Sequence, residues 1–324
     1  MSKEAAKVPS YKKQPTFGVI GWVIEWIGMA ALYFILRFLV GWNWFQVTAV
    51  VLFACFASFW IGSMGNWPFH KLKQPIQGIL ACAVSFVIGV VQWYYMVWAN
   101  YPPSTYAFPV ILNTFFLFLV TNFLFENMHM KNLKNPLAGF LNAGLWYFGA
   151  YIMVSLPTFL NVTSLAPFSV PAWWFPVAGW YFLCMGVFWT RNMTQPAKGV
   201  YGMLVLVVGV FIMSAILMAI GVPYGSLPYL AWVALWSEIA PGMFVFLENY
   251  PWRKLTQPAM GLAGLLIFAV IGAIEMLAFY FAGWAWTEVI AFGFSGVCWG
   301  YMMAFQFGYG FPSTFNYLGG GSKE

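Results

Sequence analysis

The chain has 324 residues, of which 62% are hydrophobic, 22% aromatic and only 7% charged, with a formal net charge of +6. Soluble proteins carry about a quarter charged residues, so this composition excludes an ordinary water-soluble enzyme and a nucleic-acid-binding domain, and predicts an all-α polytopic membrane protein. With spans of about 20 residues, the length accommodates ten transmembrane helices and no soluble domain of useful size.

In chain order, a polar, Lys-rich tail over 1–13 precedes an apolar run too long for a secretory signal, so the tail is expected to be retained on the cytoplasmic side. Apolar runs then fall at 17–40, 46–66, 76–99, 107–126, 137–157, 171–190, 198–221, 228–249, 259–282 and 285–307, and a short tail, 313–324, closes the chain. Every second run is opened by the same signature: Gln14-Pro15-Thr16-Phe17-Gly18, Gln74-Pro75-Ile76-Gln77-Gly78, Asn135-Pro136-Leu137-Ala138-Gly139, Gln195-Pro196-Ala197-Lys198-Gly199 and Gln257-Pro258-Ala259-Met260-Gly261. Successive prolines are 60, 61, 60 and 62 residues apart, so a single transmembrane domain, 14–312, divides into repeats 14–73, 74–134, 135–194, 195–256 and 257–312.

Proline suits a helix start, where its fixed φ helps and its missing N–H costs nothing. The glycine one turn later lets another backbone come close. Gln is a poor cap, so its amide is expected to reach a neighbouring junction loop instead. Upstream, Asn66, Asn127 and Asn249 each stand nine residues before a motif proline.

Lys71, Lys73, Lys131, Lys134, Arg191, Lys198, Arg253 and Lys254 all sit at these junctions, whereas the opposite loops at 101–107, 156–172, 222–230 and 282–287 carry no Lys or Arg. The positive-inside rule therefore places both termini and all junctions in the cytoplasm. Hairpins that all start on one side are parallel repeats about an axis along the membrane normal, and an odd number of them cannot form two equal inverted halves.

There is no Asp, and three of the Glu residues fall well inside spans: Glu25, Glu238 and Glu275. A carboxyl group in hydrocarbon is costly and marks a functional site by default, the competing account being a protonated group hydrogen-bonded between helices. Glu238 lies in Trp236-Ser237-Glu238-Ile239-Ala240-Pro241, where the proline frees a carbonyl and Ser237 adds a hydroxyl. Glu275 aligns with Gln92, each 17 residues after its motif proline, and Gln92 opens the aromatic run Gln92-Trp93-Tyr94-Tyr95. The expected solute-binding set is Glu238, Glu275, Glu25, Ser237, Gln92, Trp236 and Trp93, where aromatic faces and a counter-charge suit a methylated or other organic amine cation. Arg37 either snorkels to the outer interface or pairs with Glu288, joining the first and last hairpins.

His70 and His129 lie in junction loops, not in spans where a haem would need them, and Cys55, Cys82, Cys184 and Cys298 read as small buried hydrophobes. Asn161-Val162-Thr163 is a glycosylation sequon in an outer loop. No phosphate-binding loop, HExxH or Ser/His/acid set is present, so no catalytic residues, cofactor or metal are expected. The expected function is transport of a small solute across the cell membrane, with the lipid bilayer as surroundings. The alternative is a membrane-integral subunit of a larger redox or enzyme complex, docking its partners through the Trp-rich rim or the basic loops.

Overall fold

The computed structural model describes residues 15–73, 75–100, 108–130, 132–134, 136–159, 189–190, 192–219, 226–240, 252–256 and 258–307. Every regular element among them is helical and none is a strand. In chain order the α-helices are α1 (Thr16–Phe34), α2 (Trp44–Ser63), α3 (Ile76–Trp98), α4 (Phe108–Leu119), α5 (Leu137–Phe159), α6 (Ala197–Ala219), α7 (Leu227–Ala240), α8 (Ala259–Phe281) and α9 (Trp286–Phe307). Single π-helical turns, Ile35–Leu39 and Val120–Leu124, extend α1 and α4. Among the described residues five helices are long and apolar enough to cross a bilayer, over 18–39, 44–63, 76–98, 137–155 and 259–281, so this is a membrane protein. The sixth apolar run, the sequon and both tails lie outside the described residues.

Helices α1, α3, α5, α6 and α8 each begin on the residue after a motif proline, as that residue's fixed φ favours. These leading helices bury one stripe and expose the rest: Ile27, Val87, Phe148 and Leu266 all point outward. Counted from the motif proline, the third, tenth and fourteenth residues are buried in all five helices, a spacing that keeps them on one face. The tenth position holds Glu25, Ser85, Trp146, Leu206 and Phe268, and the fourteenth Met29, Gly89, Ala150, Val210 and Gly272. The intervening helices α2, α4, α7 and α9 form the interior; 78% of α2 is buried against 17% of α8.

Neighbouring interior helices pack in the order α7, α9, α2, α4. Near their meeting point Phe59 of α2 stacks on Phe118 of α4 with ring centroids 4.0 Å apart, and Tyr301 of α9 packs edge-on at 5.1 Å. Gln306 of α9 donates to Ser58 O at 2.8 Å and Ser58 Oγ at 2.9 Å, tying α9 to α2. Three leading helices lie chiefly on the interior helix that precedes them in the chain, α3 on α2, α5 on α4 and α8 on α7, while α6 touches the π-turn that follows α4. Helix α1, the first described helix, lies on α9.

That closure is fastened by charge. Arg37 Nε donates to both carboxylate oxygens of Glu288 at 3.0 Å and Nη2 donates to Oε1 at 2.8 Å, while Tyr33 Oη donates to the same carboxylate. Of the two fates open to Arg37 in the sequence, the structure shows the pairing with Glu288. A fork-shaped guanidinium bound in this way fixes orientation as well as distance.

The junctions account for the recurring residues. Asn66 and Asn127 have φ of 59° and 52°, the left-handed region that asparagine tolerates better than other side chains. The corresponding Asn249 lies outside the described residues. All five motif glycines are buried. A Cβ on Gly139 would fall 2.8 Å from Met64 N, and one on Gly199 would enter the Phe125 ring at 2.3 Å, so each lets the end of an interior helix approach. Gln195 Nε2 donates to Leu124 O at 2.6 Å, so this motif amide caps the π-turn that ends the α4 segment rather than reaching a junction loop. Asn43, with Oδ1 accepting from Gln46 N and Gln46 Oε1 accepting from Asn43 N, starts α2 with a capping box.

A candidate cation site of three carboxyl groups

Glu25 is the tenth residue after Pro15 and takes the buried position that a serine or an apolar side chain fills in the other leading helices. Because α1 lies on α9, which also packs on α7, that position comes within electrostatic reach of Glu238 from α7 and Glu275 from α8. The three carboxyl groups, distant in sequence, lie near enough for their charges to act on one another. Glu25 and Glu238 are fully buried and Glu275 is half-buried, with its Oε2 shielded from solvent.

Close packing brings them together. Gly296 of α9 leaves a gap into which two side chains fold, since a Cβ there would lie 2.3 Å from Glu238 Cγ and 2.4 Å from Met29 Sδ. One turn further along α9, the Trp299 ring lies against Gly28, where a Cβ would fall 1.8 Å from its Nε1. On the other side of α7, Trp236 packs edge-on against Phe268 of α8 at 5.8 Å, and Gly272 would place a Cβ 3.4 Å from the Trp236 backbone.

The site holds more polar capacity than the described protein uses. Both oxygens of Glu25, both oxygens of Glu238 and Glu275 Oε2 are buried with no hydrogen-bond partner among the described residues. Ser237 Oγ, Trp22 Nε1 and Trp299 Nε1 are likewise buried and unbonded. Trp22, three residues before Glu25, directs its indole N–H toward Glu238 without closing a hydrogen bond of ordinary geometry. No Lys, Arg or His among the described residues pairs with any of the three acids. Buried polar groups are normally bonded, and groups left open at one place ask for an explanation such as a water, an ion or a ligand.

The structure thus brings together Glu25, Glu238 and Glu275, with Ser237 and Trp236 beside Glu238 on α7. It does not bring Gln92 and Trp93 to them. Gln92 Nε2 of α3 donates to Tyr147 Oη of α5, and Trp93 packs on Phe45 of α2 at 5.7 Å. Gln92 and Glu275 share a register in their helices; Gln92 Nε2 has Tyr147 as its partner, while Gln92 Oε1 and Glu275 Oε2 are both unbonded among the described residues.

Trp22, Gly296 and Trp299 were not singled out by sequence reasoning. Trp22 carried a usable signal, being on the helical face of Glu25 at i−3, whereas Gly296 and Trp299 become visible only once α9 is known to be the neighbour of α1.

Elsewhere, Cys55 of α2 and Cys298 of α9 are neighbours, and Cys298 Sγ donates to Met302 Sδ at 3.4 Å. No group of three or more His, Cys, Asp or Glu side chains among the described residues could hold a metal ion. In comparisons with known protein families, curated proteins and solved structures, the chain matches none.

Proposed function

We propose that the protein is a transporter or permease that passes a small solute across the cell membrane, and that the Glu25, Glu238 and Glu275 cluster is where the solute binds. The observation that carries this reading is two fully buried carboxyl groups, Glu25 and Glu238, and a half-buried third, Glu275, within electrostatic reach of one another and with no cationic partner among the described residues. Intramembrane carboxyl groups are expensive, face protein interiors or water-filled paths, and mark the routes of substrates and protons. An organic amine cation, methylated or quaternary, is the solute class that suits the site, since it would bring the missing positive charge while Trp22 and Trp299 offer aromatic faces.

The wider reading is of ten spans built as five parallel two-helix repeats, with both termini cytoplasmic. Its support is the five X-Pro helix starts, the shared buried positions of the leading helices and the basic residues gathered at the junctions.

The test is uptake into proteoliposomes from a panel of radiolabelled amines, acids and sugars, compared between wild type and Glu238→Gln. Amine uptake reduced at least tenfold by the substitution is expected. Equal uptake by the two proteins dismisses Glu238 as the binding group.

A further inference from the structure

The charge state of the three-acid cluster has a consequence for what must accompany the solute. Like charges at close range inside a low-dielectric interior cannot all be ionised, and a carboxylate without a base or a hydrogen-bond donor is costlier still. The surroundings offer little relief. Helix α1 contributes Glu25 as its one acid at the site, while its Tyr33 and Arg37 are engaged by Glu288 of α9. Helix α7 contributes Glu238 and α8 contributes Glu275. Helix α9 contributes Gly296 and Trp299 there, and its Cys298 is directed to Met302 and Cys55. Among the described residues the polar hydrogens near the acids come from neutral groups such as the Trp22 indole and the Ser237 hydroxyl, and none of them closes a hydrogen bond to Glu25. Fully buried, within electrostatic reach of Glu238 and Glu275 and with both oxygens unbonded, Glu25 is accommodated in the empty site as the neutral acid.

A cation entering this site needs one carboxylate as its counter-ion. Forming it breaks one carboxyl O–H bond, and the proton leaves to the side from which the cation arrived. We propose that the site exchanges one proton for each monovalent cation it takes, making the protein an electroneutral proton–cation antiporter. The net charge of the cluster is then the same when loaded and empty, which spares the interior an uncompensated charge at either stage. On the opposite side a proton re-forms the O–H bond and the cation departs. This inference rests on the cation reading of the site given above.

The experiment titrates tetramethylammonium and tetraethylammonium, cations with no proton of their own and little passive permeability through lipid, into the purified full-length protein in weakly buffered detergent with a pH indicator. About one proton released per cation bound is expected. In proteoliposomes whose interior is one pH unit more acidic than the medium, the bound cation should accumulate about tenfold. Collapsing the pH gradient should abolish this accumulation, whereas an imposed membrane voltage should leave it unchanged. Binding without proton release, or uptake driven by voltage alone, overturns the exchange while leaving the cation site standing. Failure of both cations to bind overturns the exchange and the cation reading together. Glu238→Gln, checked for folding by gel filtration, should release no proton, and release equal to wild type would also overturn the proposal. Should that variant not fold, the wild-type titration still decides.

Discussion

Substituting Gly89 by alanine tests the fold where two backbones run closest. Gly89 lies on the buried face of α3 at the fourteenth position after its motif proline, against α2. A Cβ there would fall 2.7 Å from Val50 O and 2.9 Å from Ala54 N, both main-chain atoms of a buried helix. Ordinary contact begins near 3.4 Å, so the two helices would have to part by about 0.7 Å. Overpacking of this kind costs about 1–3 kcal/mol, against which alanine gains up to about 1 kcal/mol over glycine in helix propensity. A net loss of up to about 2 kcal/mol corresponds to a fall of up to roughly 3 °C in Tm for a chain of this length. Gly144 of α5 is the matched control, because a Cβ there meets nothing within 4 Å. Gly144→Ala should leave Tm unchanged or raise it by a few degrees. Intrinsic Trp fluorescence during a thermal ramp in detergent measures both. A Gly89→Ala protein stabilised as much as Gly144→Ala would refute the reasoning, since it would mean that α2 and α3 are not in backbone contact.

Other expectations follow from the same geometry. Arg37→Glu and Glu288→Arg should each lower Tm measurably, and the double exchange should recover most of the loss; no recovery in a double-mutant cycle would show that the pair does not fasten α1 to α9. Gln195→Ala removes the 2.6 Å bond to Leu124 O and should cost about 0.5–1.5 kcal/mol in the same thermal assay, whereas Gln195→Asn, too short to span the gap, should behave like alanine. At Asn66, with φ of 59°, glycine should be tolerated and valine should destabilise by roughly 1–2 kcal/mol; equal stability of the two would disprove a left-handed residue there. Glu25→Gln should abolish amine uptake in proteoliposomes while Gln92→Ala leaves it near the wild-type rate, and a reversed ranking would move the solute to the α3 and α5 interface.

The helix starts were legible because a proline acts through its own backbone and needs no tertiary partner, so the signature can be read one residue at a time. The motif glycines and the junction asparagines were readable for the same reason, one offering a place for close approach and the other a left-handed turn. Individual acids of the site stood out because charge is so costly at membrane depth. Their convergence did not, since it depends on α1 seating itself on α9, a contact between chain segments more than 250 residues apart. The alignment of Gln92 with Glu275 was correct as register and uninformative as chemistry. Equivalent positions meet different neighbours around the bundle, and Tyr147 has the hydroxyl that completes one of them.

The seating of the first helix on the last also dictates an order of events during synthesis. Helix α1 is made before every other described helix and its cradle, α9, after them, so Glu25 and Arg37 wait through the synthesis of all the helices between without their final surroundings. A nascent chain halted before α9 would leave an acid and a guanidinium to lipid or to a chaperone, whereas a chain cut within a junction should still assemble from its two pieces. Co-expression of residues 1–256 with residues 257–324 should recover a folded complex, and residues 1–256 alone should be degraded.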